Sequence, residues 1–509
     1  MGITLEEKIC FVRYGKIFRG NKARFAEEAG CAGMVLFSDK ADYAPDWSTP
    51  YPDDWFLPGT GAQRGTTYLD EGDPETPFYP SIEGAYRWTR QKTSDYGKKH
   101  NLPGLPNIPV QPIGYEDAYK FLSRMKGDKA PADWQGGITD KVGTVISYNL
   151  GPGFENTEEE MFMFIKNFEE VKQTKDIIGY IEGSEEPDKY IILGNHRDAW
   201  VFGAIDPTSG TCVMMEVITA FGKLLKEGWR PKRSILFASW GSEEYGLIGS
   251  QEWVEEHHTK LTANAVVYIN TDVAVTGNHT FAPGGTPNLR DVVMDVTKLI
   301  DNPRREIDSE ENGAPVATLY DNMLMRNANN GRINFPPVGS GSDYAPFLQS
   351  VGVSVVDVNF DSDGYYPVYH SVYETFELVD KFVDPGFLLH QSMARFLALM
   401  AERFSSETII PLSVNEYAME IERQVSLLKT DDRIKAGGVS FTTMDKYVAM
   451  LVTNAKTFTD QINAETDQTK RRILNEKLFR FERAFIDGNK LPNQLQFKHV
   501  VFAPRYDFC

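Results

Sequence analysis

The chain reads as an α/β protein built on a mostly parallel sheet, with a small α/β unit before that sheet and a helical unit after it. Three observations carry this reading: a βαβ pattern near the start, apolar runs without polar alternation separated by helical stretches after about residue 170, and helical periodicity from Pro385 onward. Strands covered on both faces lose the alternation of half-exposed strands, and strands separated by helices pair in parallel. At 509 residues, 41% hydrophobic and 25% charged, the chain has material for two or three cores.

Lys8 to Tyr14 predicts a strand, Lys22 to Ala29 a helix closed by Gly30, and Met34 to Phe37 a second strand. From Tyr43 to about Pro112 the text is rich in Pro, Gly, Tyr and Asp, which predicts long loops. Strands are then expected at Tyr190 to Leu193, Arg233 to Ser239, Ala265 to Asn270 and Gly352 to Val358, with helices at Gly210 to Leu225 and Leu247 to His257. Helices over Phe387 to Phe404, Val414 to Leu428, Met444 to Ile462 and Thr469 to Phe485 complete the pattern. Domains are expected at 1–170, 171–407 and 408–509.

The formal charge of −19 and the absence of Lys/Arg-rich runs argue against a nucleic-acid surface or a basic membrane patch. No stretch reaches the roughly 18 apolar residues of a membrane span, and the start has no signal-peptide pattern. The four cysteines, Cys10, Cys31, Cys212 and Cys509, show no CxxC spacing, so neither a zinc ribbon nor a disulfide scaffold is expected and the redox compartment stays open. One glycosylation sequon, Asn278-His279-Thr280, points weakly to secretion.

Ligands of open parallel sheets bind at the carboxyl ends of the strands. His196 and Asp198 follow one predicted strand, Glu243 and Glu244 the next, and Asp272 a third; Asp206 and His370 complete the set. Singly, each has an ordinary reading: Asp206-Pro207 as a turn, Glu243-Glu244 as a helix-start pair, His370 as a surface histidine. Together they supply the imidazoles and carboxylates of a two-zinc hydrolytic centre: a bridging carboxylate, further ligands, and a free carboxylate to take a proton from water. Asp198 stands where it can accept the second imidazole N–H of His196. Walker A, Gly-x-Ser-x-Gly and His-Glu-x-x-His motifs are absent.

Gly194-Asn-His-Arg-Asp-Ala-Trp-Val-Phe-Gly-Ala-Ile-Asp-Pro207, the stretch Gly228 to Gly246 and Tyr366-Pro-Val-Tyr-His-Ser-Val-Tyr-Glu374 resemble the glutamate carboxypeptidase II family. Arg13 to Lys22 resembles its protease-associated apical domain and Glu482 to Asp487 its helical domain. The resemblance implies a co-catalytic zinc peptidase acting on peptides. His196 and Asp272 would hold one zinc, Glu244 and His370 the other, with Asp206 bridging and Glu243 as general base. Tyr369 would hydrogen-bond the tetrahedral intermediate; Arg19 would grip the free α-carboxylate, with Leu247 and Gly341 also lining the substrate site. A structural calcium is implied at Thr76, Tyr79, Glu252 and Glu255.

The pattern departs from the family at Thr66, in the glutamate pocket, and at Ala282, Asp357 and Asn359, which stand for an arginine patch. C-terminal residue removal is therefore expected, with weakened preference for acidic-glutamate dipeptides. The resemblance also implies a homodimer at the extracellular face of the plasma membrane. Relative to the family, the chain begins within the apical domain, beyond the membrane anchor, and stops before the last helices of the dimerisation domain, so exposed apolar surface and unpaired edges are expected. The competing readings are a non-enzymatic receptor of the transferrin-receptor type and an inactive shortened homologue.

Overall fold

A computed structural model describes residues 2–88, 104–168, 170–489, 491 and 496–503. The first unit is a three-stranded parallel sheet of β1 (Ile9–Arg13), β2 (Gly33–Phe37) and β3 (Val110–Ile113), with α1 (Arg19–Glu28) crossing between β1 and β2. β3 lies in text read as loop because prolines flank and interrupt it. As an edge strand it tolerates Pro112, which lacks an N–H to donate. Residues 89–103 of that predicted loop, and Cys509, lie outside the described residues. α2 (Tyr115–Leu122) follows, with Glu116 and Asp117 in its first turn and Lys120 in its last, matching the helix dipole.

No disulfide scaffold was expected from the cysteine spacing, and a single bond is present, between Cys10 and Cys31. Their separation of 21 residues carries no motif. They meet because parallel pairing sets Cys10 against Met34, close to the turn that holds Cys31.

The central sheet has the order β4-β6-β5-β7-β11-β8. β5 (Glu186–His196), β6 (Arg233–Trp240), β7 (Ala265–Asn270) and β11 (Ser354–Asp361) are parallel neighbours; β4 (Ile177–Ile181) and β8 (Thr280–Gly285) close the edges antiparallel. A separate two-stranded ribbon joins β9 (Ala328–Asn329) to β10 (Arg332–Ile333). Ile191 and Leu193 of β5 point to a cluster with Val213 and Val217 of α3 (Thr208–Lys226) and Phe396 of α5 (Leu388–Ser406). The intervening Ile192 packs oppositely, with Val254 and Leu261 of α4 (Ile248–Asn264) and Tyr268. Each such side chain contributes about 1.5–3 kcal/mol by burial, and the two-sided burial is why these strands show no polar alternation. At the outer edge, Ile177 and Tyr180 of β4 are exposed.

α6 (Val414–Leu428), α7 (Thr442–Ala464) and α8 (Gln468–Phe479) follow. The helix expected to run to Phe485 ends at Phe479, and Glu482–Phe485 forms a 3-10 turn. The cause is Glu482: fully buried, it takes hydrogen bonds from the Tyr417 hydroxyl at 2.6 Å and His499 Nε2 at 2.9 Å, partners a solvent-facing helix cannot offer.

Candidate metal centre

Three parallel strands bring their carboxyl ends to one edge. β5 ends on His196, β7 is followed by Asp272, and β6 leads through left-handed Ser242 (φ 59°) into a 3-10 turn beginning Glu243-Glu244. Asp206 arrives just before α3. Gly210 makes that approach possible: a Cβ there would lie 2.4 Å from the Thr271 carbonyl, so only glycine lets α3 start against the Thr271–Asp272 turn. His370 comes from the Tyr366–Glu374 loop and itself has φ 56°.

These residues converge as two triads, His196/Glu243/Asp272 and Asp206/Glu244/His370, with potential ligand atoms within 4.8 Å of one another in each. His196 Nε2 lies 2.7 Å from Asp272 Oδ1 and 3.9 Å from Glu243 Oε2. His370 Nε2 lies 3.1 Å from Glu244 Oε2. Asp206 joins the triads, with Oδ1 3.2 Å from His196 Nε2 and Oδ2 3.2 Å from His370 Nε2. The outer ring nitrogens are occupied too: His196 Nδ1 is 3.0 Å from the Asp198 carbonyl and His370 Nδ1 3.2 Å from the Arg64 carbonyl. Each carbonyl accepts an Nδ1–H, which turns the Nε2 lone pair inward.

Four carboxylates share this buried space with two imidazoles. That charge is costly without cations, and Asp206 Oδ1 has no hydrogen-bond donor. The oxygen and imidazole donors suit zinc. The strain shows in the proton affinities. Burial alone would lower His196, yet Asp272 and Glu243 raise it well above its ordinary value. His370 likewise rises to about 9 against its burial, through Asp206 and Glu244. Burial pushes Glu243 well above the ordinary carboxylate range despite His196. Asp206 is held below that range: the two histidines outweigh its burial.

The expected contact from the Asp198 carboxylate to His196 needs correcting. Its Oδ1 is 3.7 Å from Nδ1, beyond hydrogen-bond length, and the backbone carbonyl serves instead. The carboxylate accepts the N–H groups of Glu243 at 3.0 Å and Glu244 at 3.2 Å, and so holds the glutamate turn. Sequence reasoning also missed Ser342, whose hydroxyl donates to Asp272 Oδ2 at 2.5 Å, and Asn270, whose amide reaches both Ser342 Oγ (2.9 Å) and Asp357 Oδ1 (2.8 Å). Gly339-Ser-Gly-Ser342 carries no recognisable motif. Its one legible signal was a hydroxyl-rich turn after the ligand strands.

Arg19, at the start of α1, reaches the centre from the first unit. It is buried, with Nη2 3.4 Å from His370 Nδ1. Gly65 (φ 145°) accommodates it, since a Cβ there would fall 2.0 Å from Arg19 Nε. Tyr369 stacks on His370 with ring centroids 3.6 Å apart. Leu247 is buried at the start of α4, and Gly341 (φ 102°) immediately precedes Ser342. Thr66 turns its hydroxyl to the Tyr68 N–H at 3.1 Å. Ala282 and Asn359 are paired across β8 and β11. Asp357 lies near Asp272 and is pushed up to about 7, chiefly by burial and also by that neighbouring carboxylate.

The residues matched to a calcium site lie apart from this centre. Glu252 accepts the N–H groups of Asp73 (2.7 Å) and Ser81 (2.6 Å), and Glu255 accepts from Gln251 at 2.6 Å. Glu255 Oε2 and Thr76 Oγ1 are buried without partners, and the Tyr79 phenol donates to the Tyr86 carbonyl. Burial raises Glu252 to about 8 and Glu255 to about 7.

Residues 176–383 match the model of peptidase family M28, residues 2–68 the PA domain, and residues 439–508 the transferrin receptor-like dimerisation domain. The chain is 36% identical over 529 residues to aminopeptidase NAALADL1 of Mus musculus, covering 99% of this chain and 68% of that one. It is 38% identical over 513 residues to the probable glutamate carboxypeptidase LAMP1 of Arabidopsis thaliana, covering 100% and 69% respectively. The glutamate carboxypeptidase 2 homolog of Caenorhabditis elegans is 35% identical over 536 residues, covering 99% and 67%. A PA unit, an α/β unit carrying two groups of candidate metal ligands, and a helical unit follow one another: the chain belongs to peptidase family M28, in its glutamate carboxypeptidase II branch, and is a metallopeptidase.

Proposed function

We propose that the protein is a two-zinc carboxypeptidase that removes the C-terminal residue, glutamate or a related one, from small peptides. The observation that carries this reading is the placement of Arg19 beside His370, at the rim of two triads joined by Asp206. His196 and Asp272 would hold one zinc, Glu244 and His370 the other, with Asp206 between them. When bound, such a pair polarises the attacking water and the scissile carbonyl.

The chain's own residues do the rest. The Arg19 guanidinium, a planar fork of donors, pairs with the substrate's α-carboxylate and fixes which bond lies over the centre. Glu243, half-buried beside the other carboxylates, takes the water's proton as the hydroxide adds to the carbonyl carbon, then passes it to the leaving amine as the C–N bond breaks. Tyr369 donates to the oxyanion that develops. Asp357 disfavours an acidic residue before the scissile bond.

Purified protein is expected to hold two zinc ions and cleave a dipeptide ending in glutamate, but not the same peptide with an amidated C-terminus. A folded sample without stoichiometric zinc would sink the proposal. The relatives named aminopeptidase, together with the Asp357 carboxylate beside Asp272, favour a second reading in which the substrate's α-ammonium is bound. In that case the amidated peptide is cleaved and the N-acetylated one is not.

Three further readings belong to this proposal. The Thr76/Tyr79/Glu252/Glu255 corner takes a calcium ion, supported by its unpartnered oxygens. A second copy pairs on the helical unit, supported by the matched dimerisation domain and by exposed Met444, Tyr447 and Met450 on α7. The protein works outside the cell, supported by the Cys10–Cys31 bridge and the exposed Asn278 sequon.

A further inference from the structure

We infer that Glu374 is a positioning residue that fastens Asp206 and His370 together, and so sets the zinc affinity of the Asp206/Glu244/His370 half of the centre more strongly than that of the other half, which it reaches only through Asp206. The inference rests on the reading of Asp206 and His370 as ligands. Glu374 is 1% exposed, and no Lys or Arg forms an ion pair with it among the described residues. Its hydrogen bonds go instead to the backbone of the two ligand segments. Oε1 accepts the N–H groups of Asp206 at 2.6 Å and Ile205 at 3.1 Å, and Oε2 accepts the N–H of His370 at 3.2 Å. Its own carbonyl takes the N–H of Ala204 at 3.3 Å.

One carboxylate thus ties a segment 168 residues away in sequence to one four residues away. Burying a carboxyl group is costly, and here backbone N–H groups call for an acceptor on both oxygens, with the Tyr366 hydroxyl facing the same group. A glutamine in this place would aim an NH₂ at one of those N–H groups. His370 also needs such restraint, because its left-handed backbone (φ 56°) is unfavourable for a residue other than glycine. Asp272, in the other triad, is held by Ser342 and makes no contact with Glu374.

The test compares E374Q and E374D with S342A in the full chain, by zinc content and zinc release against a graded series of a chromophoric chelator. E374Q is expected to lose one of its two zinc ions at about 10–100-fold weaker competition, with the second shifted by much less. S342A is expected to weaken the other. Turnover should fall in E374Q while KM shifts less than twofold. E374D, which keeps two acceptor oxygens on a shorter stem, should fall between wild type and E374Q, and it decides the question if E374Q does not fold. Release of both zinc ions together, or wild-type release in a folded E374Q or E374D, overturns the inference. A wild-type protein that binds no zinc overturns the proposed function instead.

Discussion

Glu243 and Glu244 are neighbours in the chain, yet they belong to different halves of the centre, and the halves are built in different ways. The triad of Glu243 draws on strand ends: His196 closes β5, Asp272 follows β7, and Ser342 secures Asp272 through its side chain. The triad of Glu244 is made of loop residues held by their backbones, Asp206 and His370 by Glu374, and His370 again by the Arg64 carbonyl of the first unit. One half is positioned by the sheet. The other is positioned by buried polar contacts and by the packing of two units against each other, so it is the half that remote changes will reach.

The largest expected effect separates the adjacent glutamates. Glu243→Gln should lower kcat by about 10²–10⁴-fold while zinc content stays at wild type, whereas Glu244→Gln should lose zinc; metal analysis beside initial rates checks both. Equal zinc loss in the two variants would erase the distinction between base and ligand. Next, Arg19→Gln should raise KM for a peptide with a free C-terminus by about 10–100-fold, the cost of a charged hydrogen bond, with kcat much less affected. A matching fall in kcat with KM unchanged would instead place Arg19 among groups that act only in the transition state.

The smallest effect concerns the chelated protein. His370 is raised to about 9, so its protonated form stabilises the fold below its unfolded pKa of about 6.5, and that contribution is lost as pH rises toward 9. Glu374, raised to about 8 chiefly by burial, adds a penalty that grows over the lower part of the same window while it keeps its proton in the fold, and that levels off above pH 8. The Tm of the chelated protein should therefore fall between pH 6.5 and 9, and by more than that of the zinc-loaded protein in parallel melts. Equal pH dependence with and without zinc would show that the imidazole of the loop-built half is not set by its carboxylates.

The two halves also differed in how far they could be read from sequence. His196, Glu243 and Asp272 follow apolar runs whose strand character is unambiguous, so the rule of strand ends located them. Asp206 and His370 have no such local marker, and their roles were legible only through resemblance to a family. Neither route showed the restraints. Glu374 stood inside a quoted motif, but its purpose depends on a partner segment 168 residues away. The Asp198 carboxylate was misassigned because spacing alone cannot tell a side-chain oxygen from the backbone oxygen of the same residue. The edge strands β4 and β8 were missed because they are antiparallel additions to a sheet whose pattern is parallel, and β3 because prolines surround it.

The seam between the first unit and His370 has a mechanical consequence. Arg64 donates its N–H to the His370 carbonyl at 3.1 Å and accepts from the His370 ring at 3.2 Å, so a proposed ligand is laced to the neighbouring unit in both directions. Opening the seam would break both bonds at once and free the imidazole, so a crosslink across it should leave turnover intact, and loss of turnover on crosslinking would show that the unit moves during the cycle.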